Sequence, residues 1–300
     1  MRFAAVDLGT NSARLLIAEL KRETLAEIYR RLLITRLGHE LQLKETLSAT
    51  GKKTTIQAVS TFMQTIKQYR ADQVYIFGTS AMREARDGKA FAQELAKVSG
   101  VPVEILSPER EAYYSFLGAT KSLPTVRAQQ TLVFDLGGGS CELIWQEQDS
   151  IKTKSRRIGA LYLTDTYFQH DPPTSTEIET MRRQLRRCLQ EVPAREMIVG
   201  VGGTVTSLAA MAQGLKVYDP EKVHGYVLAA QKIQHLLEKM LLIPVQERAR
   251  QFSLDEKRAL ILPAGALVVA EILAATGMVE LTVSEGDLLL GRLYAAISSA

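Results

Sequence analysis

Two stretches decide the fold: Phe3-Ala4-Ala5-Val6-Asp7-Leu8-Gly9-Thr10-Asn11-Ser12 and Leu132-Val133-Phe134-Asp135-Leu136-Gly137-Gly138-Gly139-Ser140. Each reads as a buried strand that ends in an aspartate, then a tight turn carrying glycine and hydroxyl side chains, then a new apolar run. In such a turn, glycine lets the backbone come close to an anion, and amide and hydroxyl groups donate to its oxygens. The aspartate at the strand end can hold a hard cation, directly or through water. One turn of this kind is weak information. Two of them, in the two halves of one chain, predict related halves that both handle phosphate.

Working outward, the first half opens as a meander of short strands, Phe3–Asp7, Ser12–Leu20 and Glu23–Leu33. Apolar residues at helical spacing over 54–69 predict a helix, followed by a strand at Gln73–Gly78 and a helix near Gly88–Val98. Val101–Leu106 reads as a strand, and Ser107-Pro108 as a helix start with serine as N-cap and proline at the first helical position. The polar stretch Lys121–Gln130, with Pro124, is the best linker. The second half repeats the scheme with strands at 131–135, 141–147 and 150–158, an arginine-laden helix over 177–190, and a strand at 197–200. The third glycine turn, Gly200-Val201-Gly202-Gly203-Thr204, follows and opens a helix at 205–211. Helices over 229–242 and 255–275, a strand at 280–284 and a helix at 288–296 complete the pattern. It predicts a duplicated α/β protein with domains at 1–124 and 125–300, the last helix, about 286–300, packing back on the first.

The chain has 300 residues, 46% of them hydrophobic and 23% charged, the balance of a globular protein with room for two cores. A net charge of +4 suits an anionic substrate without being a nucleic-acid signature. Cys141 and Cys188 are the only cysteines, so no structural zinc site is expected. The apolar stretch 259–275 is interrupted by Pro263 and Glu271 and reads as a buried helix, not a membrane span. No secretory signal is read, and a cytoplasmic location is expected.

The paired turns resemble the two phosphate loops of the actin/Hsp70/sugar-kinase superfamily, and the details resemble the Ppx/GppA phosphatases more closely. The matching segments are Asp7–Arg14 (DLGTNSAR), Gly78–Ala85 (GTSAMREA), Ile105–Tyr113 (ILSPEREAY), Asp135–Glu142 (DLGGGSCE), Val199–Ser207 (VGVGGTVTS) and Tyr218–Gly225 (YDPEKVHG). They span nearly the whole chain and fall in family order. The resemblance implies two duplicated actin-like (ribonuclease H-like) domains with mixed sheets and an interdomain cleft, in a short two-domain form. It implies a Mg2+-dependent (or other divalent-cation-dependent) hydrolase that releases terminal phosphate from inorganic polyphosphate. The alternative or additional reaction is conversion of guanosine pentaphosphate, the stringent-response nucleotide, to the tetraphosphate. A homodimer follows by analogy, and neither nucleic acid nor a membrane is an expected partner.

Carried over by position, Glu111 is the catalytic glutamate that activates water; read from sequence alone, a glutamate in a first helical turn is more often a dipole-complementing surface residue. Asp7 and Asp135 are the metal residues, against a reading as turn-capping aspartates. Thr10, Asn11, Ser12, Gly137, Gly138, Gly139 and Ser140 are expected to donate to phosphate. Arg14 and Arg83 are expected to clamp substrate oxygens, with a buried salt bridge as the alternative for Arg14, and Ser80 either touches phosphate or caps a helix. Gly202, Gly203 and Thr204 shape a substrate channel or simply pack a strand–helix turn, and His224 contacts substrate or is structural. The arginines at 182, 183, 186 and 187 form a solvated face or collect polyphosphate. The chain departs from the family at Ser284-Glu285-Gly286-Asp287-Leu288-Leu289-Leu290-Gly291, where the family shows Ser-Asp-x-Gly-Leu-Arg-x-Gly. Leu289 replaces an arginine and Glu285 an aspartate. A sugar- or acetate-kinase-like phosphotransferase and a non-catalytic actin-like nucleotide-binding protein are the rival readings; the sequence does not choose between polyphosphate and guanosine pentaphosphate.

Overall fold

The computed structural model describes residues 1–22, 24–39, 41, 45–148 and 150–298. Glu23, the first residue of the expected third strand, and residues 299–300 of the expected last helix lie outside the described residues. Contacts divide the chain into two compact units, Met1–Ser122 joined by the stretch from Asp287 onward, and Leu123–Gly286.

The first unit runs β1 (Arg2–Leu8), β2 (Ser12–Lys21), β3 (Thr24–Ile34), α1 (Ala49–Gln68), β4 (Gln73–Gly78), α2 (Ser80–Glu84), α3 (Gly88–Ser99), β5 (Val103–Ile105) and α4 (Pro108–Lys121). The second runs β6 (Thr131–Leu136), β7 (Cys141–Glu147), β8 (Ser150–Arg156), α5 (Ala160–Tyr167), α6 (Ser175–Cys188), β9 (Met197–Val201), α7 (Gly203–Ala212), α8 (Pro220–Val223), β10 (Val227–Ala229), α9 (Ala230–Leu241), α10 (Val245–Phe252), α11 (Glu256–Thr276) and β11 (Glu280–Val283). The chain then returns to the first unit as α12 (Leu288–Ser298).

The first sheet has the order β3-β2-β1-β4-β5, and the second β10-β11-β9-β6-β7-β8. In both, an antiparallel meander of three strands is followed by strands that pair parallel to its first: β4 to β1 and β5 to β4 in one, β9 to β6 and β11 to β9 in the other. This is the duplicated α/β architecture with mixed sheets that the repeated turn predicts. Its consequence is positional. The carboxyl ends of β1, β4 and β5 open side by side in one unit, and those of β6, β9 and β11 in the other, and such ends are where open α/β sheets hold ligands.

Local signals place the helices. Ser107 Oγ accepts from Arg110 N at 3.3 Å with Pro108 at the helix start, as the sequence predicts for α4. Thr174 and Glu177 form a reciprocal capping box on α6. The apolar helix α11 is long enough to cross a membrane, but it is largely buried within the second unit.

Helices α4 and α12 pack at backbone distance, because glycines meet there. A Cβ on Gly291 would lie 1.6 Å from the Tyr114 carbonyl oxygen, and one on Gly118 would lie 2.0 Å from that of Asp287. The obstacles are backbone atoms, so a side chain moves α4 relative to α12 rather than finding another rotamer. Gly291→Ala is expected to lower stability by at least about 1–3 kcal/mol, measured as a fall in the denaturant midpoint. An unchanged midpoint contradicts the close packing. Beside this contact Leu289 is wholly buried, in a core with Phe3, Ala5, Phe77 and Tyr114. An apolar residue suits that position, and this chain places no charge where the family pattern has arginine.

Candidate active site

In the first unit three strand ends deliver the residues that the motifs single out. After β1, the turn Gly9–Ser12 closes with Gly9 N donating to Ser12 O at 3.0 Å. The Asn11 carbonyl accepts from Thr35 N and Arg36 N, and the Thr10 carbonyl from Gly38 N, so the segment after β3 fixes the turn. After β4 comes the short helix α2, and Thr10 Oγ1 and Ser80 Oγ lie 3.0 Å apart. Thr79, at the start of α2, makes no side-chain capping bond. Arg83 follows Ser80 by three residues and so shares its face of α2. After β5 comes α4, with Glu111 in its first turn. Arg83 Nη1 donates to the Leu106 carbonyl at 2.7 Å and to Glu111 Oε2 at 3.0 Å, both side chains about a third exposed. Thr10, Ser80, Arg83 and Glu111 are thus brought together at neighbouring strand ends. Ser12 opens β2, while Asn11 is exposed at the tip of the turn.

Asp7 lies directly across the hairpin from Arg14, and that register explains their ion pair. Arg14 donates to Asp7 Oδ2 through Nε at 2.8 Å and Nη2 at 2.6 Å, and to Asp287 Oδ2 through Nη1 at 3.0 Å. Arg14 thus forms ion pairs with both Asp7 and Asp287. Asp287 also accepts from Arg30 at 3.0 Å and, through Oδ1, from the amides of Leu289 and Leu290 at the start of α12. Burial pushes the Asp287 carboxyl up, but Arg14 and Arg30 more than offset it, leaving it below the usual range. For Asp7 burial prevails over Arg14, and its carboxyl is raised.

The Arg30–Asp287–Arg14–Asp7 chain was missed by sequence reasoning. Nothing local to Asp287 shows which arginines it meets. The second oxygen of Asp7, Oδ1, is buried and has no hydrogen-bond partner. An orphaned carboxylate oxygen at a strand end fits a hard cation or its bound water. Among the described residues there is no cluster of three or more His, Cys, Asp or Glu that forms a ready-made metal cage. Mg2+ is commonly held by one or two carboxylates together with substrate phosphates.

In the second unit the glycine turn after β6 closes in the same way as its counterpart, Gly137 N donating to Ser140 O at 3.0 Å. Helix α5 docks on it: Gly159 N donates to Gly139 O, Ala160 N to Gly137 O and Tyr162 N to Gly138 O. A Cβ on Gly139 would meet open space, so the turn's outer backbone is accessible. Asp135 is partly buried at the end of β6. The third turn, after β9, lies beside it: a Cβ on Gly202 would be 2.5 Å from the Leu136 carbonyl oxygen and 3.4 Å from Asp135 Oδ1. With φ of 101°, Gly202 adopts a conformation that other residues rarely do.

Gly203 faces the Arg258 guanidinium. Thr204 is 2% exposed and its side chain packs against Gly265, the close packing of a strand–helix turn that is the alternative to a channel role. After β11, Glu285 N donates to His224 Nδ1 at 3.1 Å, which places the proton of a neutral ring on Nε2, and Tyr218 hydroxyl bonds Glu285 Oε1. His224 is thereby tied to the strand end that carries the divergent Ser284-Glu285 pair.

The model of the Ppx/GppA phosphatase family matches residues 16–299. Exopolyphosphatase 2 of Mycobacterium tuberculosis is 32% identical over 311 aligned positions, covering 97% of each chain. The crystal structure of the Aquifex aeolicus Ppx/GppA phosphatase, in its type II variant, superposes with a TM-score of 0.92 at 32% identity, over 98% of this chain and 99% of that one. An exopolyphosphatase from Cytophaga hutchinsonii, 22% identical, shares the fold with a TM-score of 0.82 over 100% of this chain and 99% of its own. From its strand-end turns to the extent of these matches, the chain belongs to the Ppx/GppA phosphatase family.

Proposed function

We propose that this protein hydrolyses the terminal phosphoanhydride of inorganic polyphosphate, of guanosine pentaphosphate, or of both. The observation that carries the reading is the Arg83–Glu111 pair beside the Thr10 and Ser80 hydroxyls, at the carboxyl ends of β1, β4 and β5. The name of the mycobacterial relative supports polyphosphate as one substrate.

In the reaction, water attacks the terminal phosphorus, its proton passes to a Glu111 carboxylate oxygen, and the bridging P–O bond breaks. The shortened chain leaves with the bond's electron pair as a phosphate anion. The Thr10–Ser12 turn, Ser80 and Arg83 donate to the terminal phosphoryl oxygens, where charge grows. The turn Gly137–Ser140 offers further phosphate donors, and Gly202, Gly203 and His224 are further candidates for substrate contact. Each unit carries a residue that would hold Mg2+, Asp7 through its orphaned Oδ1 in the first and Asp135 in the second. A cation bound there would neutralise charge on the substrate phosphate.

The test is phosphate release by the purified protein from polyphosphate and from guanosine pentaphosphate, with and without Mg2+, with no acceptor and no ATP. Mg2+-dependent release is expected, and the ratio of kcat/KM for the two substrates decides preference. Failure to release phosphate from either sinks the reading; ATP-dependent sugar phosphorylation would replace it with a kinase.

A further inference from the structure

We propose that a cationic groove between α5 and α6 of the second unit grips the trailing phosphates of long-chain polyphosphate as they lead away from the Gly137–Ser140 turn. This rests on the hydrolase reading above and adds a chain-length determinant to it.

The four arginines of α6 are not one solvated face. Glu271, buried on α11, accepts from Arg182 at 3.0 Å and from Arg186, itself exposed, at 3.2 Å, and so engages one pair, four residues apart, in ion pairs. The other pair with that spacing, Arg183 and Arg187, is rotated by about 100° from it and is exposed. With Tyr167, Thr180 and Gln184 these two line a cavity of about 260 Å³. Among the described residues that lining carries two guanidinium groups, a phenol, a hydroxyl and an amide, and no carboxylate. Arg183 Nη2 lies 3.4 Å from Thr180 Oγ1, a contact too long to hold it firmly. Complementing the dipole at the end of α6 accounts for basic residues in its last turn, but not for a donor-lined cavity.

Helix α5 joins this groove to the phosphate turn. Its first residues are bonded to the backbone of Gly137, Gly138 and Gly139, and a Cβ on Gly159 would lie 2.4 Å from Gly138 backbone atoms, so the docking is tight. Eight residues later the helix ends at Tyr167 on the groove's wall, a span of about 12 Å. Arg157, exposed just before α5, stacks over the Tyr162 ring at 4.5 Å and adds a cation at the near end. The carboxylates of these two helices are Asp165 on α5 and Glu177 and Glu179 on α6; Glu177 is engaged by His170 and Thr174.

An occupant matched to this track is an extended anion with charge at every repeat, since guanidinium forks pair with phosphate oxygens in two-pronged fashion. Tripolyphosphate held at the turn is too short to reach the groove; a long chain is not.

The test is steady-state hydrolysis of tripolyphosphate and of long-chain polyphosphate by the Arg183→Glu/Arg187→Glu variant. Its charge-matched control is Lys232→Glu/Lys239→Glu, two exposed positions on α9 outside the groove. Reversing two charges is expected to raise KM for the long chain about tenfold. Kinetics on tripolyphosphate and the control variant should be unchanged, and the difference should shrink as salt rises. An unchanged long-chain KM, an equal rise for tripolyphosphate, or the same shift in the control overturns the grip. Direct binding of long-chain polyphosphate by wild type and variant reads the grip even if no hydrolysis occurs, so its failure is distinct from failure of the hydrolase reading.

Discussion

Glu111→Gln is expected to lower kcat by about 10²–10⁴-fold while leaving KM and the unfolding midpoint near their wild-type values. The side chain is about a third exposed, so the core does not depend on it. Glutamine has the same length, and its amide oxygen still accepts from Arg83 Nη1, so the pairing at 3.0 Å survives in geometry. What disappears is the carboxylate that takes a proton from water. A mere surface residue complementing the α4 dipole would give a stability change of tenths of a kcal/mol and no kinetic change. Glu109 is the control. It is exposed, and the Ser107 side chain and its own helix-start amide hold its carboxyl below the usual range, which makes it a poorer base. Glu109→Gln is expected to retain most activity. If the two variants lose activity equally, or Glu109→Gln loses more, the assignment of Glu111 fails.

Most of what bears on this site is legible in the sequence, for a physical reason. Strand ends, tight turns and helix caps are local, so DLGTNS, DLGGGS and Ser107-Pro108 announce themselves within a few residues. The parts that are not legible depend on partners far along the chain. Arg14 reads equally well as a phosphate clamp until the hairpin register sets it opposite Asp7 and the returning chain brings Asp287. The arginines of α6 look equivalent until Glu271, more than 80 residues away, takes two of them. Helix α5 escapes pattern reading because eight residues give few turns of periodicity, and its start is set by docking on glycine backbone. The three-residue β10 exists through pairing with β11. Thr204 belongs to a recognisable motif, yet packing against Gly265 decides where its side chain goes.

Arg248→Ala is expected to destabilise the second unit by about 3–5 kcal/mol, although this residue belongs to no motif and lies at no strand end. The reason begins with Pro263, inside α11. Proline has no N–H for the carbonyl four residues earlier, that of Ala259. Arg248 Nη1 donates to that carbonyl at 2.7 Å in a buried setting. Its Nε donates to the Ile243 carbonyl at 2.9 Å and its Nη2 to Asp171. The side chain is 2% exposed, so one side chain meets the need that the proline creates, ties α10 to α11 and fills the space between them. Burial lowers the arginine's pKa somewhat, and Asp171 opposes that shift; at neutral pH the group stays charged. Alanine leaves two carbonyls without donors, at about 1–3 kcal/mol each where water cannot reach, and a cavity beside them. Lysine carries the charge but not the fork, and reaches at most part of this set. Arg248→Lys is therefore expected to fall between wild type and alanine in urea midpoint, and Arg248→Ala/Pro263→Ala to recover part of the loss, because alanine at 263 returns an N–H to Ala259. If the double variant is no more stable than Arg248→Ala, the Arg248–Ala259 bond is not what compensates for the proline.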